Sequence, residues 1–193
     1  MKCTNMEGEE RFGPVTSWLY ANLCNLFHGP LMYDFVVNDI MKSRAHSILD
    51  VGTGPGEVPV ELASRSGKFK IYAIDPSKYM LRMARKRAYG MGIRFAQGYS
   101  QHVPFDTKFD MIISSISFHH WAHKKESLRY LSGFLSKKGE IRIYEFKKVR
   151  HLIVQEHHSM TRDELADAAK GTGLRLKGIV ETGGKLRASY CRA

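Results

Sequence analysis

The feature that most constrains the fold of this chain is a short apolar segment that ends in three alternating glycines. Residues 48–51 read Ile-Leu-Asp-Val, which predicts a buried strand. Gly52, Gly54 and Gly56 follow it, and glycine permits a sharp turn and a close approach of backbone to a ligand. Helical periodicity resumes over 57–64, so the turn leads into a helix N-terminus. A strand, a glycine turn and a helix in this order form a cradle for a nucleotide.

The spacing of the glycines separates the classes of nucleotide site. A dinucleotide fingerprint requires G-x-G-x-x-G. Its last position is Glu57 when counted from Gly52, and Pro59 when counted from Gly54. No Gly-Lys-Ser/Thr follows, so the turn is not a P-loop either. Asp50 instead stands just before the turn, and an anionic strand end suits a cationic ligand better than a pyrophosphate. The pattern disfavours a dinucleotide oxidoreductase.

The run 48–56 resembles the cofactor signature of the class I S-adenosylmethionine-dependent methyltransferases. It matches the hydrophobic-Asp-x-Gly-x-Gly-x-Gly pattern position for position, and the resemblance, to UbiE-like members with small-molecule acceptors, extends to about Tyr190. It implies an enzyme that binds S-adenosyl-L-methionine and releases S-adenosyl-L-homocysteine. In that family the turn backbone, here Gly52, Thr53, Gly54 and Gly56, wraps the methionine end of the cofactor. Asp50 would lie near the cofactor's ammonium group.

A second strand, predicted over 70–75, ends in another acid, Asp75. Asp75 follows Gly56 by about 19 residues, the spacing at which the second strand of a βαβ unit ends beside the first. A carboxylate there can accept hydrogen bonds from both ribose hydroxyls. Pro76 and Ser77 then begin a helix and are further candidate cofactor contacts. The alternative is that Asp75 caps this helix, a role for which Ser77 competes.

The segment 93–105 resembles the third strand and the adenine loop of the same family. Members commonly place an aspartate directly after the glycine, where it holds the adenine amino group. In this chain Tyr99 follows Gly98. A tyrosine can stack on the purine or offer its hydroxyl, and Ser100 can replace the missing acid. The alternatives are a partly exposed loop aromatic at Tyr99 and, for the whole chain, a non-catalytic cofactor-binding module.

A fourth strand, predicted over 109–114, leads into the segment that lines the methyl-transfer site in the family. The segment lacks the Asn/Asp-Pro-Pro-aromatic motif of many amino-methylating enzymes and resembles the His-His branch common among small-molecule methyltransferases. His119 and His120 are candidate general bases, because histidine takes up a proton near neutral pH, and Ser115 is a candidate cofactor contact. Alternatively, one histidine points into the core and the other into solvent. No metal is expected, because no cysteine lies near His119, His120 and His123.

Residues 1–45 are predicted to form a helical lid, and residues 46–193 the cofactor-binding core of a single domain. Helical spacing predicts helices over 15–27 and 31–42, the second with Leu31 and Ile40 on its buried side. Such helices close over cofactor and acceptor in many small methyltransferases. The candidate substrate contacts are Tyr20, Tyr33, Phe118 and His157. Core or surface packing is the alternative for the two tyrosines.

The remaining pattern completes an α/β fold. It predicts a helix over 126–137, a strand over 140–146, a helix opened by the capping box Thr161–Glu164, and a hairpin over 174–191 turning at Gly183-Gly184. Five strands that alternate with helices, plus a hairpin, predict a three-layer Rossmann-like architecture. Its seven-stranded sheet would be mostly parallel with a C-terminal antiparallel hairpin, as in the family.

The composition bounds the setting in which the protein works. Its 193 residues suffice for one domain, and no run approaches the ~18 apolar residues of a membrane span. Residues 1–11 are polar, which predicts no signal peptide. Three widely spaced cysteines without a CxxC pair favour free thiols. We therefore expect a cytoplasmic protein with no membrane partner.

The chain is strongly basic, with a formal net charge of +11 and a pI of about 9.6. Residues 78–94 contain six lysines and arginines and no acid, and 147–151 form a second cluster. The leading hypothesis is a methyltransferase with a small-molecule substrate. The alternative is a methyltransferase that acts on RNA or protein through this basic surface.

Overall fold

The computed structural model describes residues 29–148 and 159–193, whose strands form one mixed sheet. The strands are β1 (Ser47–Val51), β2 (Lys70–Asp75), β3 (Arg94–Gln97), β4 (Phe109–Ser115), β5 (Leu135–Lys147), β6 (Ser159–Met160), β7 (Leu174–Thr182) and β8 (Lys185–Arg192). Their order is β3-β2-β1-β4-β5-β8-β7, with β6 paired to the end of β5. The pairs among β1 to β6 are parallel, and β8 runs antiparallel to β5 and β7. The predicted seven-stranded sheet is confirmed, and the two-residue β6 is an addition.

Helices cover both faces of this sheet, as predicted for a three-layer fold. Within the described residues they are α1 (Gly29–Met41), α2 (Glu57–Arg65), α3 (Lys78–Arg87), α4 (Lys124–Ser132) and α5 (Arg162–Ala168). Side chains alternate along β1, so that Ile48 joins the apolar cluster under α1 and α2 while Leu49 joins the cluster under α4 and α5. Strands buried on both faces explain the continuous apolar runs of β1 and β4.

A partly buried polar cluster fastens α1 to the sheet. Both carboxylate oxygens of Asp39 accept hydrogen bonds, from Arg142 Nη1, Arg187 Nη1 and the Tyr144 hydroxyl, each at 2.7 Å. Ile40 is fully buried as predicted, but Leu31 is 70% exposed and the adjacent Met32 is buried in its place. At the start of α1, the buried residue is therefore Met32 and not the predicted Leu31.

The boundary between α4 and β5 differs from the prediction. The helix predicted over 126–137 ends at Ser132, and β5 begins at Leu135 rather than at 140. Leu135 pairs with Phe109, and the register then shifts before Met111 pairs with Glu140. Gly139 lies in this bulge, where a Cβ would stand 2.7 Å from the Phe109 carbonyl oxygen.

Two local predictions near the C-terminus are confirmed. Glu164 N donates to Thr161 Oγ1 at 3.1 Å, and Glu164 Oε2 accepts from Thr161 N at 2.7 Å, which completes the capping box. Gly183 and Gly184 turn the hairpin with φ of 54° and 74°.

Part of the predicted lid cannot be compared with the structure. The helix over 15–27, Tyr20 and His157 lie outside the described residues, so the division into a lid and a core stays a prediction. No helix within 29–148 or 159–193 is long and apolar enough to cross a membrane.

Candidate functional site

A pocket opens at the carboxyl ends of β1, β2 and β4, the edge at which open α/β sheets bind ligands. The sequence-predicted residues that line it are Tyr33, Asp50, Gly52, Thr53, Gly54, Asp75, Pro76, Ser115 and His120. Residues that the sequence did not single out complete the wall, among them Val58, Met80, Ile116, Ser117 and Trp121.

The glycine turn is shaped by close packing on two sides. Gly52 and Gly56 have φ of 76° and 83°, in the left-handed region. A Cβ on Gly52 would stand 2.2 Å from Ser117 Oγ, and one on Gly56 would stand 2.9 Å from Ala84 Cβ. A Cβ on Gly54 would meet nothing within 4 Å. The outer glycines let neighbouring elements approach, and the middle one leaves open space above the backbone, which is the cradle that a cofactor needs.

Asp75 ties this turn to the tip of β2. Its Oδ2 accepts the amide hydrogen of Gly54 and its Oδ1 that of Ser77, both at 2.8 Å. The N-cap of α3 is Ser77, whose Oγ accepts from Met80 N at 3.4 Å. Asp75 therefore faces the pocket and the turn, and Ser77 performs the capping for which both residues competed.

Asp50 is a second buried acid in the same pocket. It lies at the end of β1 and is 3% exposed. Burial raises the pKa of Asp50 to about 7, the nearby Asp75 adds to this rise, and Thr53 acts in the opposite direction. A cation bound beside Asp50 would favour the ionised carboxylate, so the site is matched to a positively charged ligand.

The two histidines take different directions from the 3-10 helix Phe118–His120. His119 turns inward, where its Nδ1 lies 2.8 Å from Oε2 of Glu145 and its backbone N donates to Oε1 at 3.1 Å. His120 lines the pocket, and its ring centroid lies 4.0 Å from that of His119. Of the two histidines, His120 is therefore the one placed to meet a substrate.

Comparisons with known proteins agree with this geometry. The family model described as "Methyltransferase domain" matches residues 48–139, which contain the turn, both acids and the histidines. An uncharacterized methyltransferase, YdaC of Bacillus subtilis, is 26% identical over 134 residues, covering 69% of this chain and 74% of that protein. A demethylmenaquinone methyltransferase of Deinococcus radiodurans is 32% identical over 111 residues, covering 54% of this chain.

Residues 48–139 are therefore similar to the methyltransferase domain of class I S-adenosylmethionine-dependent enzymes.

A solved structure extends the likeness to the whole fold. The O-methyltransferase NcsB1 from neocarzinostatin biosynthesis, in complex with S-adenosyl-L-homocysteine and 1,4-dihydroxy-2-naphthoic acid, superposes with a TM-score of 0.78 at 16% identity. The match covers 93% of this chain and 59% of NcsB1. The match to the Deinococcus protein likewise spans about half of that protein, 46% of its length.

The predicted adenine loop, Gly98 to Ser100, does not line the pocket. Ser100 is buried and its Oγ lies 2.8 Å from Ser127 Oγ on α4. Tyr99 N and O form a bridge with His102, whose ring lies 5.9 Å from the tyrosine ring. Gly98 N donates to the Asp75 carbonyl at 3.2 Å, which fixes the loop beside β2. An adenine contact by these residues stays a prediction.

Three further predicted residues serve the surroundings of the site. Phe118 is fully buried with its ring 5.0 Å from Trp121, so it supports the pocket wall from behind. Gly56 and Ser77 are the N-cap residues of α2 and α3. Substrate contact by Phe118 and cofactor contact by the other two stay predictions. Among the described residues, no three His, Cys, Asp or Glu side chains group as a metal site.

Sequence reasoning missed a strained residue in the pocket wall. Ile116 has φ of 52°, and among the described residues no other non-glycine residue has positive φ. Such a conformation costs about 1–3 kcal/mol, and most for a β-branched residue. The Ile116 amide donates to the Tyr144 carbonyl at 2.9 Å, which holds the turn. No sequence signal marks this position, because isoleucine is itself disfavoured there.

Proposed function

We propose that this chain is an S-adenosyl-L-methionine-dependent methyltransferase that transfers a methyl group to a small-molecule acceptor and releases S-adenosyl-L-homocysteine. The observation that carries the proposal is that two buried acids, Asp50 and Asp75, line the same pocket as the open space above Gly54. The fit is chemical as well as steric, since Asp75 suits ribose hydroxyls and Asp50 suits a cationic amino-acid end.

The residues around the pocket divide into two groups. Those at the tips of β1 and β2 would hold the cofactor, which when bound supplies an electrophilic methyl group on a positively charged sulfur. Ile116, His120 and Trp121 would bound the acceptor beyond β4, and Tyr33 of α1 would cover it. We propose that α1 belongs to a lid formed by residues 1–45. The apolar wall would exclude water and align the acceptor for an in-line displacement.

His120 would act as the general base when the acceptor atom carries a proton. Its ring nitrogen would take the hydroxyl proton of a phenol or enol while the oxygen gains the methyl group. A demethylmenaquinone methyltransferase among the relatives, and an O-methyltransferase holding 1,4-dihydroxy-2-naphthoic acid among the structural neighbours, support a hydroxylated aromatic acceptor.

Calorimetry on the full chain tests the cofactor assignment. We expect S-adenosyl-L-methionine and S-adenosyl-L-homocysteine to bind and NADH not to bind. Asp75→Asn should weaken binding at least about tenfold, because an asparagine loses an acceptor oxygen and about 1.5–3 kcal/mol of charge-assisted hydrogen bonding. Asp106→Asn, at an exposed loop position, is the matched control. Absence of binding by the wild type would overturn the proposal.

Methyl transfer is then measured with tritium-labelled cofactor and 1,4-dihydroxy-2-naphthoic acid as the probe. Label should appear in an extractable small molecule, and His120→Gln should lower the rate. Label that appears only in added RNA or protein would favour the second candidate function described below.

The second candidate, a methyltransferase acting on RNA or protein, rests on one surface feature. Lys78, Arg82, Arg85 and Lys86 on α3 and Arg94 on β3 are all exposed. This basic stripe predicts affinity for a polyanion that falls steeply with salt, with log affinity linear in log salt concentration. A flat salt dependence of RNA binding would remove this candidate.

A further inference from the structure

Glu145 is a buried acid outside the lining of the pocket. It lies in β5, close to the carboxyl end of that strand, and is fully buried. Burying a carboxylate is costly unless hydrogen bonds and opposite charge compensate for the lost water. The hydrogen-bond partners of Glu145 therefore indicate why this carboxylate is buried.

Both carboxylate oxygens of Glu145 interact with one residue, His119, in the segment that follows β4. Oε1 accepts from the backbone N of His119 at 3.1 Å, and Oε2 lies 2.8 Å from the ring Nδ1 of the same residue. Because a carboxylate only accepts hydrogen bonds, Nδ1 carries the hydrogen. The pair therefore selects the Nδ1–H tautomer of His119 and fixes the plane of its ring.

The fixed ring of His119 forms a support for His120. The two ring centroids are 4.0 Å apart with an interplanar angle of 49°, and His120 lines the pocket while His119 is buried behind it. Trp121, the next residue in the chain, also lines the pocket. The orientation of His120 thus depends on a ring that Glu145 holds.

A further charged group near His119 is Lys124 on α4. Lys124 Nζ donates to the carbonyl oxygens of His119 and Trp121, at 3.1 and 2.7 Å, and so closes the loop from outside. Burial lowers the pKa of Lys124, while the charges of Glu145 and of Glu164 on α5 act to raise it. Glu145 therefore hydrogen-bonds to His119 and attracts the partly buried ammonium of Lys124.

We infer that Glu145 is a positioning residue that orients His120 through His119 and stabilises the positive charge that His120 gains. The catalytic part of this inference rests on the proposed function. In the step concerned, the acceptor O–H bond breaks and its proton moves to the His120 ring, the O–CH₃ bond forms as the S–CH₃ bond breaks, and the proton leaves later to solvent. The acceptor class is therefore one with a dissociable proton.

Nuclear magnetic resonance of the histidine rings tests the inference without any acceptor. In long-range ¹H–¹⁵N spectra of the full chain at pH 8, we expect His119 as the Nδ1–H tautomer. In Glu145→Gln the amide offers one acceptor and one donor where two acceptors are needed, so the Nδ1–H population should fall. Glu126→Gln, at an exposed position of α4, should leave the spectrum unchanged. An Nε2–H tautomer of His119 in the wild type would overturn the inference, whether or not the variant folds.

A titration separates positioning from a merely structural role. Removal of a nearby anion should lower the pKa of His120 in Glu145→Gln, and Glu145→Asp should restore it in part. With a working acceptor, Glu145→Gln should reduce kcat at least about tenfold at near-constant KM and move the acidic limb of the pH–rate profile to lower pH. An unmoved pKa of His120 in a folded variant would contradict the inference.

Failure of this inference is distinguishable from failure of the proposed function. Calorimetry reports whether the cofactor binds, and the ring spectra report the Glu145–His119 contact in the free protein. Cofactor binding with the wrong tautomer would reject only the role of Glu145. The right tautomer without cofactor binding would reject the proposed function and with it the catalytic part of the inference.

Discussion

Asp75 Oδ2 accepts the amide hydrogen of Gly54 at 2.8 Å, so the acid at the tip of β2 holds the glycine turn that follows β1. A ligand that reaches Asp75 therefore meets a carboxylate whose position is already set by the turn on which the same ligand rests. The hydrogen bond makes the two halves of the cofactor site one structural unit.

The glycines of the turn should respond differently to alanine. Gly52→Ala combines left-handed backbone strain with a 2.2 Å contact to Ser117 Oγ, so we expect a loss of about 2–4 kcal/mol in the free energy of unfolding. Gly54→Ala carries only the backbone strain, about 1 kcal/mol, but it should abolish cofactor binding by filling the cradle. Urea unfolding and calorimetry measure the two effects. Gly67→Ala, with open space and no positive φ, is the control, and an equal loss in it would contradict this account.

Asp50 should make stability depend on pH. Because the pKa of Asp50 in the folded protein is raised to about 7, the folded state binds more protons than the unfolded state between roughly pH 4 and 7. Its contribution is most favourable below about pH 4 and is lost as pH rises through 7, by at most about 4 kcal/mol. Asp50→Asn removes this dependence. The free energy of unfolding of the variant should therefore rise relative to that of the wild type as the pH is raised from 4 to 8. A pH-independent difference in urea unfolding would contradict the prediction.

Cofactor binding should release a proton from the same site. A cation beside Asp50 lowers its pKa, so at pH 6–7 the binding enthalpy should vary with the ionisation enthalpy of the buffer. The wild type and Asp50→Asn should differ in this respect when titrated in phosphate and in Tris. Identical buffer dependence in the two proteins would show that the proton comes from elsewhere.

Asp39 should contribute to stability by holding α1 on the sheet. Burial alone would raise its pKa, but the hydrogen bond from Tyr144 and the charges of Arg142 and Arg187 outweigh burial and leave the pKa lowered. Asp39→Asn should cost about 1–3 kcal/mol at pH 7, discounted for partial exposure, and the cost should shrink as pH falls through the lowered pKa. Asp34→Asn, which removes an exposed ion pair with Arg65, should cost under about 0.5 kcal/mol. Equal costs for the two variants in urea unfolding would argue against the pinning of α1.

His120 should affect methyl transfer without affecting cofactor affinity. A positioned general base contributes about 10²–10⁴-fold, so His120→Gln should lower kcat by at least about 100-fold on an acceptor with a dissociable proton. His123→Gln, an exposed neighbour, should retain the wild-type rate. Stopped assays with labelled cofactor give the rates, and a rate for His120→Gln near that of the wild type would assign proton removal to another group.

The central sheet and the pocket at its edge were predictable because their signals are local. Apolar runs that end in Asp50 and Asp75, with glycines between them, specify strand ends and a turn within a few residues. Parallel topology then brings these acids to one edge of the sheet, as the pocket lining shows. The C-terminal hairpin was predictable from the two segments that flank Gly183-Gly184.

The boundaries and the supporting contacts were not predictable for a physical reason. The side chain of Leu135 fits a helix pattern as well as a strand, and only its pairing with Phe109 decides between them. The contact between Glu145 and His119 joins residues 26 apart in sequence, and no periodic pattern encodes it. Ser100, a candidate for the adenine loop, has its hydroxyl bonded to Ser127 on a helix that lies 27 residues away.

Tyr144 has a consequence for how acceptor preference can change. Its hydroxyl donates to Asp39 on α1, and its carbonyl oxygen accepts from the strained Ile116 in the pocket wall. Surface substitutions that tilt α1 therefore shift the pocket wall through the side chain and the main chain of Tyr144. Selection can retune the shape of this pocket at positions remote from it, while the residues that line the pocket remain the same.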